Sequence, residues 1–286
     1  MKGKVCLLLS AFIYGLAPML SKIAYRGGAN VMTLTFLRTF MMLPPLFVWM
    51  KMNRYSLKIT ASELIKIAAL GIVGGTLTNV SLYLSYDYIS TGLATTLHFI
   101  YPLMIIVVSA LVYRERISKT QLLAAVLVTG GIFMFVNLNT RSDTLGVFLA
   151  LMSGIFYSFY VVYMDYSGIN RMDFVKLTFY LLIFMSAGTL IFGVWTKTLD
   201  FAAMDGEGWA LSFIISLVTT VLALPLFQLG IRCEGAPSAG IISAFEPITT
   251  LALGALFLGE RMNIAQLLGG IIILTGVIIA QRSGNN

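Results

Sequence analysis

HFIYPLMIIVVSALVYRERISKTQLLAAVLVTGG, residues 98–131, returns as SAFEPITTLALGALFLGERMNIAQLLGGIIILTG, residues 243–276. Sliding by 145 places Pro102 on Pro247, Ala110 on Ala255, Glu115 on Glu260, Arg116 on Arg261, Gln121 on Gln266 and Gly131 on Gly276 without a gap. Each copy is an apolar run interrupted by one proline, a short polar turn and a second apolar run. Before the proline the copies part company, with His98 and Tyr101 in the first and Ser243 and Glu246 in the second. What the copies share decides the fold, and where they differ is the first place to look for function.

Around this repeat lie 286 residues that are 58% hydrophobic and 11% charged, with mean hydropathy +0.91. No soluble core of that length could hide so much apolar surface, so the chain reads as an integral membrane protein. The excess of 19 Lys and Arg over 12 Asp and Glu sits in short loops between apolar runs. There it acts as an orientation signal and a contact with lipid headgroups rather than with nucleic acid. Cys6 and Cys233 fall in or beside predicted spans, which excludes a disulfide framework or a CxxC site. The basic and apolar start, MKGKVCLLLSAFIYG, lacks a small-residue cleavage site and reads as an uncleaved first helix.

About 20 apolar residues cross the hydrocarbon as a helix. That measure predicts an all-α protein of ten spans, near 4–25, 31–50, 64–86, 90–113, 119–138, 144–165, 173–196, 209–231, 237–258 and 264–281. Helix starts are marked by capping pairs, Thr60 with Glu63, Ser118 with Gln121 and Asn263 with Gln266, by Asn30 and Asp143, and by Pro237 at a first helical position. The longest connections, near Lys51–Glu63 and Lys197–Gly208, are about a dozen residues, too short for a soluble domain. Of the 19 Lys and Arg, Lys22, Arg26, Arg141, Lys197 and Arg261 lie on one side and Arg38 lies inside span two. The remaining thirteen lie with the amino terminus, which predicts both termini in the cytoplasm. Five spans per repeat is odd, so residues 1–140 and 141–286 are expected to form an inverted pair. A weaker match at an offset of 143 (Gly3 on Gly146, Ser10 on Ser153, Tyr14 on Tyr157) extends it to the first helix of each half. Two such halves can rock about one central site, the construction of many secondary transporters, although duplication also builds scaffolds.

Candidate site residues follow from the cost of polarity in hydrocarbon. Pro102 and Pro247 each remove a backbone hydrogen bond, freeing the carbonyls of His98 and Ser243; matched helix breaks of this kind belong at a cavity or hinge, or are packing kinks. Arg38 is the eighth residue of its span, too deep for easy snorkelling, where ionisation costs about 2.5–3.5 kcal/mol, so it should face the interior with a partner. Glu246 lies at comparable depth, and the two either form a structural salt bridge or share the charges of a solute. His98, the single histidine, rules out a multi-histidine metal site and is either a packing residue or a contact for a proton or solute. Glu246 is the other proton candidate. Tyr14, Tyr101 and Tyr157 lie deep enough to need partners and flank the same region. The GxxxG from Gly71 to Gly75 and the pairs Gly130, Gly131 and Gly269, Gly270 permit close helix approach and leave monomer and homodimer open. No nucleophile elbow, HExxH or P-loop pattern occurs, so neither an enzyme nor a cofactor is expected.

With Arg38, the stretch from Pro102 through Glu115 and Gln121 to Gly131, and the second copy with Glu246, Pro247, Gly254, Gly259, Glu260, Arg261, Gln266 and Gly276, the chain resembles two tandem EamA domains of the drug/metabolite transporter superfamily. The resemblance implies a ten-helix bundle of inverted five-helix halves around a central cavity, in the cell membrane. It also implies transport, often export, of amino acids or other small organic metabolites, in many members with proton coupling. His98 and Tyr101 depart from the usual apolar pattern and mark this chain's own chemistry. The expected solute site is Arg38, His98, Tyr101, Ser243 and Glu246, flanked by Tyr14 and Tyr157. Multidrug efflux, an uncoupled facilitator and a non-transporting membrane scaffold are the alternatives.

Overall fold

A computed structural model describes residues 2–135, 143–258 and 263–282; Arg141, Gly259, Glu260 and Arg261 lie outside them. Every regular element among these residues is helical. In chain order they are α1 (Lys2–Arg26), α2 (Val31–Phe40), α3 (Leu43–Met52), α4 (Ala61–Ala69), a π-helical segment (Leu70–Leu77), α5 (Thr78–Ser85), α6 (Thr91–His98), α7 (Tyr101–Leu111), α8 (Lys119–Phe133) and α9 (Thr144–Tyr166). After a 3₁₀ turn (Ile169–Arg171) come α10 (Phe174–Trp195), α11 (Gly206–Ser216), a second π-helical segment (Leu217–Ala223), α12 (Leu224–Ser243), α13 (Phe245–Leu258) and α14 (Ile264–Arg282).

Capping chemistry sets the starts as the residue types predict. The Thr60 hydroxyl accepts from Glu63 N at 3.2 Å while the Glu63 carboxylate accepts from Thr60 N at 2.9 Å. Ser118 with Gln121 and Asn263 with Gln266 close the same reciprocal box, satisfying N–H groups that have no partner within the helix. Asn30 and Asp143 cap α2 and α9.

Among the described residues, eight helices are long and apolar enough to cross a membrane, and Lys119–Phe133 is a shorter apolar helix. One of the eight, Gly206–Phe257, runs 52 residues. At 1.5 Å per residue that is about 78 Å, more than twice a hydrocarbon core of about 30 Å. It is not straight. Gly235 has φ 78° and ψ 166°, a conformation essentially restricted to glycine, and the stretch breaks again at Ala244 (φ −66°, ψ 0°).

The proline positions do more than kink. Where sequence reasoning leaves a helix break or a packing kink open at Pro102, α6 ends at His98 and α7 begins afresh at Tyr101 with Pro102 in its first turn. The 145-residue counterpart behaves alike, α12 ending at Ser243 and α13 beginning at Phe245. The physical reason is that a ring without N–H loses nothing in a first turn, whereas in a helix interior it removes a backbone hydrogen bond, as Pro18 does within α1. Pro44 and Pro45 open α3 in the same way, and Pro225 opens α12.

The first helix of each sequence repeat packs against the broken helices of the other: α1 lies on α12 and α13, and α9 on α5, α6 and α7. Small residues make this approach possible, since in lipid the helices associate by close packing and hydrogen bonds. A methyl group on Gly15 would sit 2.9 Å from the Glu246 carbonyl oxygen and 2.5 Å from Thr249 Cβ. On the other side Ser158 donates to the Tyr101 carbonyl at 3.3 Å. The glycines of the two repeats' last helices meet across α8 and α14, where Gly131 and Gly269 each face the other's carbonyl. The GxxxG of span three is used within the chain, Gly71 against Phe184 and Gly75 against Met185.

Candidate functional site

The second span places its arginine just before a stop. α2 ends at Phe40, two residues after Arg38, and the prolines of α3 restart the chain. The Arg38 carbonyl, in the last turn, accepts from the Ser216 hydroxyl at 2.7 Å and from Thr220 at 3.2 Å. Both donors come from the end of α11 and the second π-helical segment. Its guanidinium Nη2 donates to Asn79 Oδ1 at 3.1 Å, and the Asn79 amide nitrogen donates to the Gly75 carbonyl at 3.0 Å. Asn79 is therefore held with its oxygen towards the arginine. Among the described residues, one of its five N–H donors is taken.

Glu246 sits in the first turn of α13, directly after the break. It lies within electrostatic reach of Arg38, Tyr14, Tyr101 and Tyr157. Among the described residues, however, no contact within 4.0 Å makes Arg38 and Glu246 an ion pair, and no hydrogen bond engages the Glu246 carboxylate. A guanidinium and a carboxyl group are thus gathered in one region without pairing directly. Arg38, Glu246, Tyr14, Tyr157 and His98 are all half-buried.

The other edge of the site is aromatic. Tyr101 and Tyr157 meet edge to face with ring centroids 4.6 Å apart, and His98 lies 5.6 Å from each. Tyr160 and Phe227 extend the cluster from Tyr157 at 6.0 and 6.4 Å. The Tyr101 side chain is 1% exposed and Tyr160 5%, yet among the described residues neither hydroxyl meets a partner in hydrogen-bonding geometry. Ser243 lies beside the Tyr101 hydroxyl without meeting it in bonding geometry; its own proton goes to the Ala239 carbonyl at 2.7 Å, which leaves its oxygen able only to accept. Buried hydroxyls are costly to leave unpaired, and they collect where a polar ligand or water is received.

The structure thus brings Arg38, Glu246, Tyr14, Tyr101, Tyr157, His98 and Ser243 to one region between the two broken helices. Sequence reasoning missed Asn79 and Ser153; the signal for Asn79 was an amide at mid-span. Among the described residues no cluster of His, Cys, Asp and Glu could hold a metal. A separate open cavity of about 520 Å³ lies at the end of α9, lined by Asp165, Tyr166, Asn170, Arg171 and Arg232. It is about 18 Å along the helix from Ser153. Beside it Asp165 accepts from Ala236 N at 2.7 Å and from Asn170 at 3.3 Å, capping the helix that restarts after Gly235. Tyr166 donates to Glu115 and stacks on Tyr113 with centroids 4.0 Å apart.

Comparison with known proteins follows the same lines. The EamA-like transporter family model matches twice, over residues 1–137 and 144–281. An uncharacterized transporter of Archaeoglobus fulgidus is 26% identical over 98% of this chain and 96% of its own length. The uncharacterized transporter YcbK of Bacillus subtilis is 25% identical over 93% and 88%, and the uncharacterized inner membrane transporter YicL of Salmonella typhimurium 23% over 97% and 94%. One solved crystal structure shares the fold with a TM-score of 0.82 over 99% of both chains at 14% identity. With the family model covering nearly its whole length and helices fit to cross the bilayer repeatedly, this chain belongs to the EamA-like transporter family and is a multi-pass membrane protein.

Proposed function

We propose that the protein is a secondary transporter, an exporter of small zwitterionic metabolites such as amino acids. It alternates access between two inverted halves, residues 1–140 and 141–286, that together cross the cell membrane ten times with both termini in the cytoplasm. The 52-residue stretch supplies two of those crossings, separated at Gly235, and Lys119–Phe133 another. Arg38 receives the carboxylate of the solute and Glu246 its ammonium group, with the aromatic cluster of Tyr14, Tyr101 and Tyr157 around the remainder. The observation that carries this reading is the unneutralised proximity of Arg38 and Glu246 beside a matched helix break. Two opposite charges held apart at that depth are costly in a resting scaffold and well placed for a solute bearing both. Inward-facing half-helix ends beside a solute are also the usual construction of such sites. Proton coupling runs through Glu246 or His98, and the protein works without a cofactor.

The test is a metabolite panel screened by thermal shift on the purified protein, with hits retested as flux in proteoliposomes under an imposed pH gradient. A zwitterionic hit whose flux falls at least about tenfold in both Arg38→Gln and Glu246→Gln supports the assignment. Full transport by both variants removes the two residues from the solute site, and no saturable flux across the panel favours a scaffold.

A further inference from the structure

One hydroxyl in the site has been left without a role. Ser153, on α9 and 0% exposed, lies between two partners: its oxygen is 2.6 Å from the Ala150 carbonyl and 2.9 Å from His98 Nδ1. A serine hydroxyl carries one proton. The carbonyl can only accept, so that proton goes to Ala150. Were it turned to the histidine instead, two oxygen lone pairs would face each other at 2.6 Å with nothing between them. The contact with His98 can then be made in one way, with Nδ1–H donating to the serine oxygen. In a neutral ring the other nitrogen, Nε2, must be a bare acceptor.

We infer that Ser153 is a positioning residue that fixes the tautomer of His98 and so presents Nε2 as a hydrogen-bond acceptor to the solute site. The local backbone serves the same end. Gly154, next to Ser153, has no side chain, and a methyl group there would come 2.6 Å from the His98 carbonyl. Consecutive residues of α9 therefore hold the histidine at both its ring and its backbone, at the last residue of α6 where the helix stops. Among the described residues Nε2 has no protein hydrogen-bond partner, and the ring is half-buried against Tyr101 and Tyr157. His98 and Glu246 then supply acceptors, while Arg38 supplies donors. The solute group that meets His98 is accordingly an N–H or O–H donor. This last step rests on the transport reading above; the tautomer does not.

His98 is the only histidine in the chain, so selective ¹⁵N-histidine labelling of protein carrying a non-histidine tag gives one imidazole. Its two nitrogen resonances, recorded in lipid nanodiscs at a pH where the ring is neutral, report the tautomer directly. The expected spectrum is a single form with the proton on Nδ1. Ser153→Ala should lose that single form, giving the other tautomer or a mixture, and Ser153→Thr, which keeps the hydroxyl, should restore it. A wild-type ring protonated on Nε2 overturns the inference, as does a Ser153→Ala spectrum identical to wild type. The wild-type measurement decides even if a variant fails to fold. An Nδ1–H ring in a protein that moves no solute would sink the transport reading and leave the tautomer standing.

Discussion

Gly15→Ala adds one methyl group at the closest approach of α1 to the broken helix that carries Glu246. The new carbon would lie 2.5 Å from Thr249 Cβ, 2.8 Å from Thr249 Cγ2 and 2.9 Å from the Glu246 carbonyl oxygen. Carbon atoms rest at about 3.5–4.0 Å, so α1 and α13 must separate by about 1 Å. The obstacle is a Cβ and a backbone oxygen, neither of which can rotate away. Overpacking of this kind costs about 1–3 kcal/mol. It also strains the Thr250 hydroxyl bond to the Gly15 carbonyl, 3.2 Å at present. Gly130→Ala and Gly270→Ala are the controls, since a methyl at either meets nothing within 4 Å. All three changes share the helix-propensity gain of glycine to alanine. Gly15→Ala should therefore be less stable than the controls by about 1–3 kcal/mol, read by denaturant unfolding in mild detergent, and should show the larger loss of flux. Adding Thr249→Gly removes two of the three clashes, so the double variant should lose less than the sum of the single ones. If Gly15→Ala proves as stable and as active as Gly130→Ala, the packing argument for the α1–α13 contact is wrong.

Two further outcomes follow from the end of α9. Asp165→Ala removes the acceptor for Ala236 N and should destabilise by about 0.5–2 kcal/mol, whereas Asp165→Asn keeps an acceptor and should cost much less; equal losses would show that the cap is not what matters. Glu115, outside the spans, has its carboxyl raised above the ordinary 4.5 by burial and, secondarily, by the charge of Asp165. A group with a raised folded-state value contributes stability that is fully present below 4.5 and is lost as pH rises through the raised value. Melting of wild type relative to Glu115→Gln should therefore fall as pH rises above 4.5, and identical pH slopes in the two proteins would argue against it.

Much of this architecture was legible because it depends on short-range chemistry. The capping boxes at Thr60 and Ser118 and the apolar lengths of the spans are written in a few adjacent residues. The repeat marked Pro102 and Pro247 as matched helix breaks or kinks, and the fold resolves the first as a stop at His98 and a restart at Tyr101. The two π-helical segments, Leu70–Leu77 and Leu217–Ala223, left no such mark. A wider turn changes which residue follows which around the axis, and an apolar run carries too little contrast for that to appear in its pattern. The site was half legible. Arg38 and Glu246 stand out because charge in hydrocarbon is costly, but Ser153 and Asn79 act through partners 55 and 41 residues away. A serine in a membrane helix usually bonds its own backbone, and only the fold shows that Ser153 has a second neighbour.

The paired helix breaks have a consequence for symmetry. A duplicated chain folded about a two-fold axis would offer a bound molecule two identical walls, and a molecule with unlike ends would fit such a chamber equally well either way round. Here the two edges of the break differ by a handful of side chains, His98 and Tyr101 against Ser243 and Glu246, while the prolines that make the break are the same. That difference gives the region between the breaks a head and a tail. It can be rewritten one copy at a time without disturbing the frame that both copies share.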